Sequence, residues 1–180
     1  MYLDSLTPGG LYIILFIRGD PPSMNDFHWG LYLHHDSNYG GTKYHIKKEG
    51  SSGWITDHGH TRGVFKSFLL VGLFQIATVP QGRESHVDEK IRSYDPSINT
   101  PGVTCRVWVL WVLALLQQPA NGYTVLRCNN LNELEEEIKQ WGNANAQSAA
   151  DNGQPRPIGY SSKIHCPNIK IFAYWPLGFL

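Results

Sequence analysis

The run VTCRVWVLWVLALL, residues 103–116, is apolar nearly all the way round any helix drawn through it. A helix with no polar face needs cover on every side, so this one belongs in the middle of a domain. It is too short to cross a bilayer, which takes ~20 helical residues. Its β-branched and aromatic residues make a strand the competing reading, and its length favours helix. Thr100 is the expected N-cap, with Pro101 at the first helical position.

What covers such a helix is read from the rest of the chain. LYIILFI (11–17) reads as a fully buried strand, closed off by Gly9-Gly10 and by Gly19-Asp20-Pro21-Pro22. His28 to Leu33 alternates apolar and polar, and so does TKYHIK (42–47); with the loop 34–41 they form a hairpin. WIT (54–56) is a short strand, and Asp57 to Arg62 is polar loop. KSFLLVGLFQIATVP (66–80) gives one or two buried strands, with Gly72 as a bend or bulge. RESHVDEKIRSY (83–94) can form a short helix. In NNLNELEEEIKQWGN (129–143), Asn130 and Glu133 form a capping pair and Leu131, Leu134, Ile138 and Trp141 share one face. Gly142 is expected to end that helix.

The segment 143–157 is small, polar and punctuated by proline, and reads as a flexible tail that leads to an apolar end, IKIFAYWPLGFL (169–180). The expected architecture is α+β. One domain, residues 1–142, packs an antiparallel sheet against the buried helix that carries Cys105 and a second, amphipathic helix; residues 143–180 form the tail. A chain of 180 residues is long enough for one such core.

Fifteen basic and fifteen acidic residues cancel, so the chain has no long-range field to draw in nucleic acid or anionic lipid. Neither is an expected partner, and no stable membrane insertion is expected. The three cysteines, Cys105, Cys128 and Cys166, are an odd and widely spaced set. They make neither a disulfide framework nor a four-cysteine zinc site, and free thiols suggest a reducing, cytoplasmic setting. No phosphate-cradling glycine loop precedes a helix, so no cofactor is expected. The rival chemistry is zinc, held by His34 and His35, by DHGH (57–60) and by His45. DHGH has no i, i+4 helical pair and lies in a Gly-flanked loop, so the preferred reading there is surface loop, without metal.

Cys105 and two histidines carry the preferred chemistry. A cysteine in the first turns of a helix feels the positive end of the helix dipole, which favours thiolate, the nucleophilic form. An imidazole within hydrogen-bond reach then acts as general base and later as acid. His28 is the candidate base and His45 the group that orients it. If Leu33 pairs with Gly40, His28 stands opposite His45; if Leu33 pairs with Thr42, His45 lies one diagonal away. Either register puts both imidazoles on one face of the hairpin.

The HWGLYL strand, a second histidine on the next strand and a later helix-opening cysteine resemble the circularly permuted papain-like fold. The resemblance is to the lecithin:retinol acyltransferase-like group and to the PPPDE-like peptidases, over about residues 9–120. It implies His28 as base, His45 as orienter and Cys105 as nucleophile. The implied activity is thiol-dependent hydrolysis or transfer at an amide, isopeptide or ester carbonyl of a peptide, protein or acyl substrate. The whole chain, with segments such as RSYDPSINTPGVTCRVWVLWVLALLQ, also resembles a group of uncharacterised fungal proteins. A non-catalytic binding module on the same fold is the alternative.

Overall fold

Eight residues of LYIILFI and its leading glycine form the centre of the molecule, because a strand apolar on both faces is stable only with a strand on each side and a layer above and below. The computed structural model describes residues 3–48, 50 and 53–164. In it β1 (Gly10–Ile17) lies between β2 (Phe27–Asp36) and β7 (Leu70–Thr78) and pairs antiparallel with both. β3 (Gly40–Tyr44) pairs with β2, and β6 (Gly59–Thr61) pairs with β3. β8 (Ile158–Tyr160) adds a parallel edge beside β7, which gives six strands in the order β6-β3-β2-β1-β7-β8. A separate ribbon joins β4 (Ile46–Lys48) to β5 (Trp54–Thr56).

The fold is α+β, as expected. Among the described residues three helices, α1 (Glu84–Arg92), α2 (Cys105–Leu116) and α3 (Leu131–Ala150), complete it. They share one apolar core with the odd-numbered side chains of β1 and β2, among them Ile13, Leu15, Trp29 and Leu31. The even-numbered side chains Tyr12, Ile14 and Tyr32 form a second, smaller core with Leu6 and Val64, beside short 3-10 turns at Leu3–Ser5 and Val64–Lys66. The sheet therefore has a helix side and a loop side, and period-two alternation sends each residue to one or the other.

Local differences from expectation have physical causes. α2 begins at Cys105, not after Thr100, because the Thr104 hydroxyl accepts from the Val107 N–H and so caps the helix itself. Only one stripe of α2 is fully buried: Cys105, Trp108, Val109, Val112, Leu113 and Leu116. Burying each large member of that stripe contributes about 1.5–3 kcal/mol. That outweighs the few tenths of a kcal/mol by which each valine disfavours helix, so length and burial decide over propensity. The stretch 57–62 is not all loop, since β6 extends the sheet at its edge.

Asn130 caps α3 as read from the sequence, accepting from the N–H of Asn132 at 2.9 Å while Leu134 and Ile138 are fully buried. Gly142, however, does not end that helix. A side chain there would meet Leu15 at 2.8 Å and Phe27 at 2.9 Å, so glycine lets α3 lie close on the sheet and continue to Ala150. The first part of the expected tail is thus helix, and Ile158–Tyr160 is paired strand. The apolar end 169–180 and Cys166 lie outside the described residues. Among the described residues no helix is long and apolar enough to cross a membrane.

Helix propensity alone favours replacing Gly142. The close packing reverses that sign. Gly142→Val is expected to lower the unfolding free energy by about 1–3 kcal/mol through overpacking against Leu15 and Phe27. Urea denaturation measures it, and a midpoint at or above the parent's would show that α3 does not press on the sheet at this point.

Candidate functional site

The hairpin adopts the second of the two registers: Leu33 pairs with Thr42 and Leu31 with Tyr44. His45 follows one residue later and lies across from Gly30, diagonal to His28. The two imidazoles share the loop side of the sheet, with His28 Nε2 3.1 Å from His45 Nδ1. Gly30 is what makes the approach possible. A Cβ on Gly30 would stand 3.0 Å from the His45 Cβ and 3.0 Å from the Tyr44 carbonyl oxygen. The small residue two positions after His28 thus leaves the seat that His45 fills.

A third member was not read from the sequence. The β4–β5 ribbon pairs Ile46 with Thr56, so Asp57 returns opposite His45 and its backbone N–H donates to the His45 carbonyl at 2.9 Å. The same pairing brings the carboxylate to the imidazole, with His45 Nε2 and Asp57 Oδ2 2.7 Å apart. The signal is equal spacing in the sequence, which sets Lys48 against Trp54, Ile46 against Thr56 and so His45 against Asp57. The composition of DHGH drew attention to metal instead. Among the described residues no three histidine, cysteine or acidic side chains converge as a metal-ligand set, and the His28–His45–Asp57 chain spends its facing nitrogens on its own hydrogen bonds.

Protonation fixes the direction of that chain. Burial acts to raise the Asp57 carboxyl, but the His45 hydrogen bond and the charges of His45, Lys43 and Lys47 outweigh it and hold it below the ordinary carboxylate range. Burial lowers His45, with Lys43 adding to the effect and Asp57 opposing it. Burial also pushes His28 down to about 4, helped by the neighbouring His45 and by Arg18 and Lys43. Both rings are neutral at pH 7. An ionised Asp57 only accepts, so His45 Nε2 carries the proton and donates it. His45 Nδ1 then accepts from His28 Nε2–H. The remaining nitrogen, His28 Nδ1, is unprotonated and has no hydrogen-bond partner among the described residues.

His28 and His45 open on a pocket of about 340 Å³, with Phe16, Ile17 and Val64 as apolar walls and Lys43, Thr61 and Ser67 as polar ones. Phe16 pairs directly with His28 across the strands, its ring 5.9 Å from the imidazole.

Cys105 does not join this site. It is the first residue of α2, 2% exposed, and belongs to the core on the helix side of the sheet. His28, an even-numbered residue of the same sheet, faces the loop side. Strand alternation thus keeps the thiol and the candidate base apart, and no hydrogen bond joins the Cys105 sulfur to any described residue. Arg106, next to it, turns to α3 and ion-pairs with Glu135. Cys128 is buried as well, its thiol donating to the Asn130 carbonyl.

The helix side has its own histidine. His58 follows Asp57 and points the opposite way. Its ring stacks on Trp108 of α2 at 5.6 Å, and its Nε2 lies 3.1 Å from Asp95 Oδ1. The side chain is 2% exposed, and its Nδ1 is buried with no partner. The other three histidines of the zinc alternative are spent separately, His60 with its Nε2 2.6 Å from the Tyr39 carbonyl oxygen. His34 is buried beside the Tyr32 hydroxyl, and His35 lies 3.3 Å from the Thr42 hydroxyl.

Residues 10–151 match the family of unknown function DUF6914, and the chain belongs to that family. No curated protein and no solved structure matches it.

Because His28 is neutral in the fold down to about pH 4 and titrates near ~6.5 when unfolded, the unfolded chain binds more protons between those values. Its contribution to stability is present above the unfolded pKa and is lost as pH falls through that window. His45, also lowered, acts in the same direction. Thermal melts from pH 7 to pH 4 are expected to show falling Tm in the parent and a shallower fall in His28→Ala. Equal slopes would mean that His28 takes up its proton in the folded state.

Proposed function

We propose that this chain, as a member of a family of unknown function, is a hydrolase acting on an ester or amide carbonyl, with the His28–His45–Asp57 chain as its general base. The observation that supports this reading is the unbroken hydrogen-bonded line from an accessible pocket to a carboxylate, 3.1 Å and then 2.7 Å. Two neutral imidazoles in series are a costly way to fill a partly buried space, since each nitrogen needs a partner.

The chemistry runs as follows. A water in the pocket gives a proton to His28 Nδ1 while its oxygen adds to the substrate carbonyl carbon. His28 Nε2–H passes to His45 Nδ1. The positive charge therefore rests on His45, next to Asp57, and not on the more strongly disfavoured His28. Lys43 lines the pocket and supplies positive charge for the developing oxyanion. When the tetrahedral adduct collapses, the leaving oxygen or nitrogen takes the proton from His28 Nδ1, and His45 returns its own to His28 Nε2. The products are an acid and an alcohol or amine. The walls of Phe16, Ile17 and Val64 favour an apolar group beside the scissile carbonyl.

A second reading keeps the thiol, with a different histidine. Cys105 and Trp108 are one turn apart on the buried stripe of α2, and His58 stacks on Trp108 with one ring nitrogen unpartnered and the other on Asp95. Cysteine, histidine and carboxylate would then follow the order of a thiol hydrolase, reached when the helix side opens.

Hydrolysis of p-nitrophenyl butyrate separates the two. The relay reading expects His28→Ala to lower kcat/KM by on the order of 10²–10⁴, Asp57→Asn to lower it less, and Cys105→Ser to leave it unchanged. Loss in Cys105→Ser with retention in His28→Ala overturns the relay. Iodoacetamide at neutral pH supplies the independent arm. The relay expects Cys105 to stay unmodified in the folded protein, whereas the thiol reading expects rapid labelling that slows in His58→Ala.

A further inference from the structure

The far end of β7 carries a second concavity that the histidine site does not use. It has a volume of about 390 Å³ and is lined by Ala77, Pro80, Val125 and Ile164 together with Tyr160 and Arg127. Its lining is mostly apolar, and it lies on the strand-edge side of the sheet where β8 joins β7. Pockets of this size, with a few placed polar groups, are typical of small-molecule sites.

Charge gives the ligand its sign. Tyr123 stands in the wall of the groove with its hydroxyl fixed on the Thr78 carbonyl at 3.2 Å. Two guanidinium groups lie against its ring, Arg83 at 5.9 Å and Arg127 at 6.0 Å from the centroid. Neither arginine has a carboxylate partner among the described residues, whereas Arg18, Arg92 and Arg106 each do. Both are half-buried. The neighbouring carboxylate, Glu137, is held by the Ser161 and Ser162 hydroxyls and lines the adjoining cleft instead. Two cations held beside an aromatic ring, with no carboxylate partner among the described residues, and an apolar slot next to them form a site for an anion that carries an apolar body. Arg127 lines the slot itself and is placed to pair with a planar carboxylate in bidentate fashion.

We propose that this groove binds a small apolar carboxylate, its chain along Ala77, Pro80, Val125 and Ile164 and its head group on Arg127, with Arg83 adding charge from beside the same Tyr123 ring. The site is separate from the histidine pocket and does not depend on what that pocket does.

Isothermal titration of the full chain with decanoate tests it, with decanol as the uncharged counterpart. Decanoate is expected to bind at one equivalent and at least tenfold more tightly than decanol. Arg127→Ala should weaken decanoate at least tenfold, Arg127→Lys should recover part of the loss, and Arg83→Ala should cost less. Lys43→Ala, in the histidine pocket, should leave the affinity unchanged. Thermal melts of each variant show whether the fold is retained. No binding of decanoate to the parent overturns the proposal. So does equal affinity for decanol, or an Arg127→Ala variant that is folded and binds as the parent does. A loss in Lys43→Ala alone would put the carboxylate in the histidine pocket and equally overturn the assignment.

Discussion

Strand β2 puts successive side chains on opposite sides of the sheet, and the rest of the molecule is arranged around that alternation. Phe27, Trp29, Leu31 and Leu33 enter the helix-side core. His28 and Tyr32 face the loops, and Gly30 between them leaves room for His45. The ladder from Leu11–Leu33 to Ile17–Phe27 runs without a slip, and a one-residue shift would put His28 in the apolar core and Trp29 in the pocket. The burial of four large apolar residues on one side therefore fixes where the polar chemistry of the other side sits. Between β5 and β6, Asp57 and His58 also turn to different partners. Adjacent in sequence, they serve His45 on the loop side and Asp95 on the helix side.

A buried polar group costs free energy unless it is bonded, and the His28–His45–Asp57 line meets that condition from one end only. Asp57 is the exposed end, and His45, 8% exposed, is the buried middle. His28 closes the inner bond and leaves Nδ1 facing no described donor. Apolar residues at positions 28 and 45 together would remove the need for partners on this side, whereas an apolar residue at 28 alone would leave His45 Nδ1 unpaired. Phe16 is the direct neighbour there, and an aliphatic side chain would pack on it without any need for a partner. The imidazole at position 28, whose charge burial strongly opposes, is the feature that the core does not require.

Much of this was legible in the sequence because it rests on local pattern. Alternation located β2 and β3, the apolar run located β1, and the spacing of Leu131, Leu134 and Ile138 located α3. Pair arithmetic in the hairpin put His28 and His45 on one face, and the structure adopts one of its two registers. The side of the sheet on which a distant helix packs is legible in the sequence only indirectly. Cys105 was joined to His28 by chain order and resemblance, while the larger apolar set, Trp29 with Leu31 and Leu33, was the evidence that α2 would take the opposite side. Gly142 has an ambiguity of a related kind. A glycine past a helical face has the same local signature whether it caps the helix or lets it approach a sheet. Only the position of Leu15 and Phe27 distinguishes the two.

The C-terminal elements are tied to the pocket by a residue that local pattern would place on the surface. Arg156 is fully buried and has no carboxylate partner among the described residues. One guanidinium nitrogen donates to the Ala149 carbonyl at 3.4 Å, and another donates to Asn152 Oδ1 at 2.9 Å and to the Phe68 carbonyl at 2.8 Å. Ala149 lies in the last turn of α3, where unpaired carbonyls carry the negative end of the helix dipole. That partial charge offsets a buried cation that would otherwise be costly. Phe68 follows the 3-10 turn at Val64–Lys66, whose Val64 forms a wall of the histidine pocket. The bond from Arg156 thus joins the end of α3 and the start of β8 to the segment that roofs His28. The elements after residue 142 are in this way part of the domain that positions the pocket, and the long α3, which depends on Gly142 to pass close over Leu15, is what brings Arg156 within reach of it.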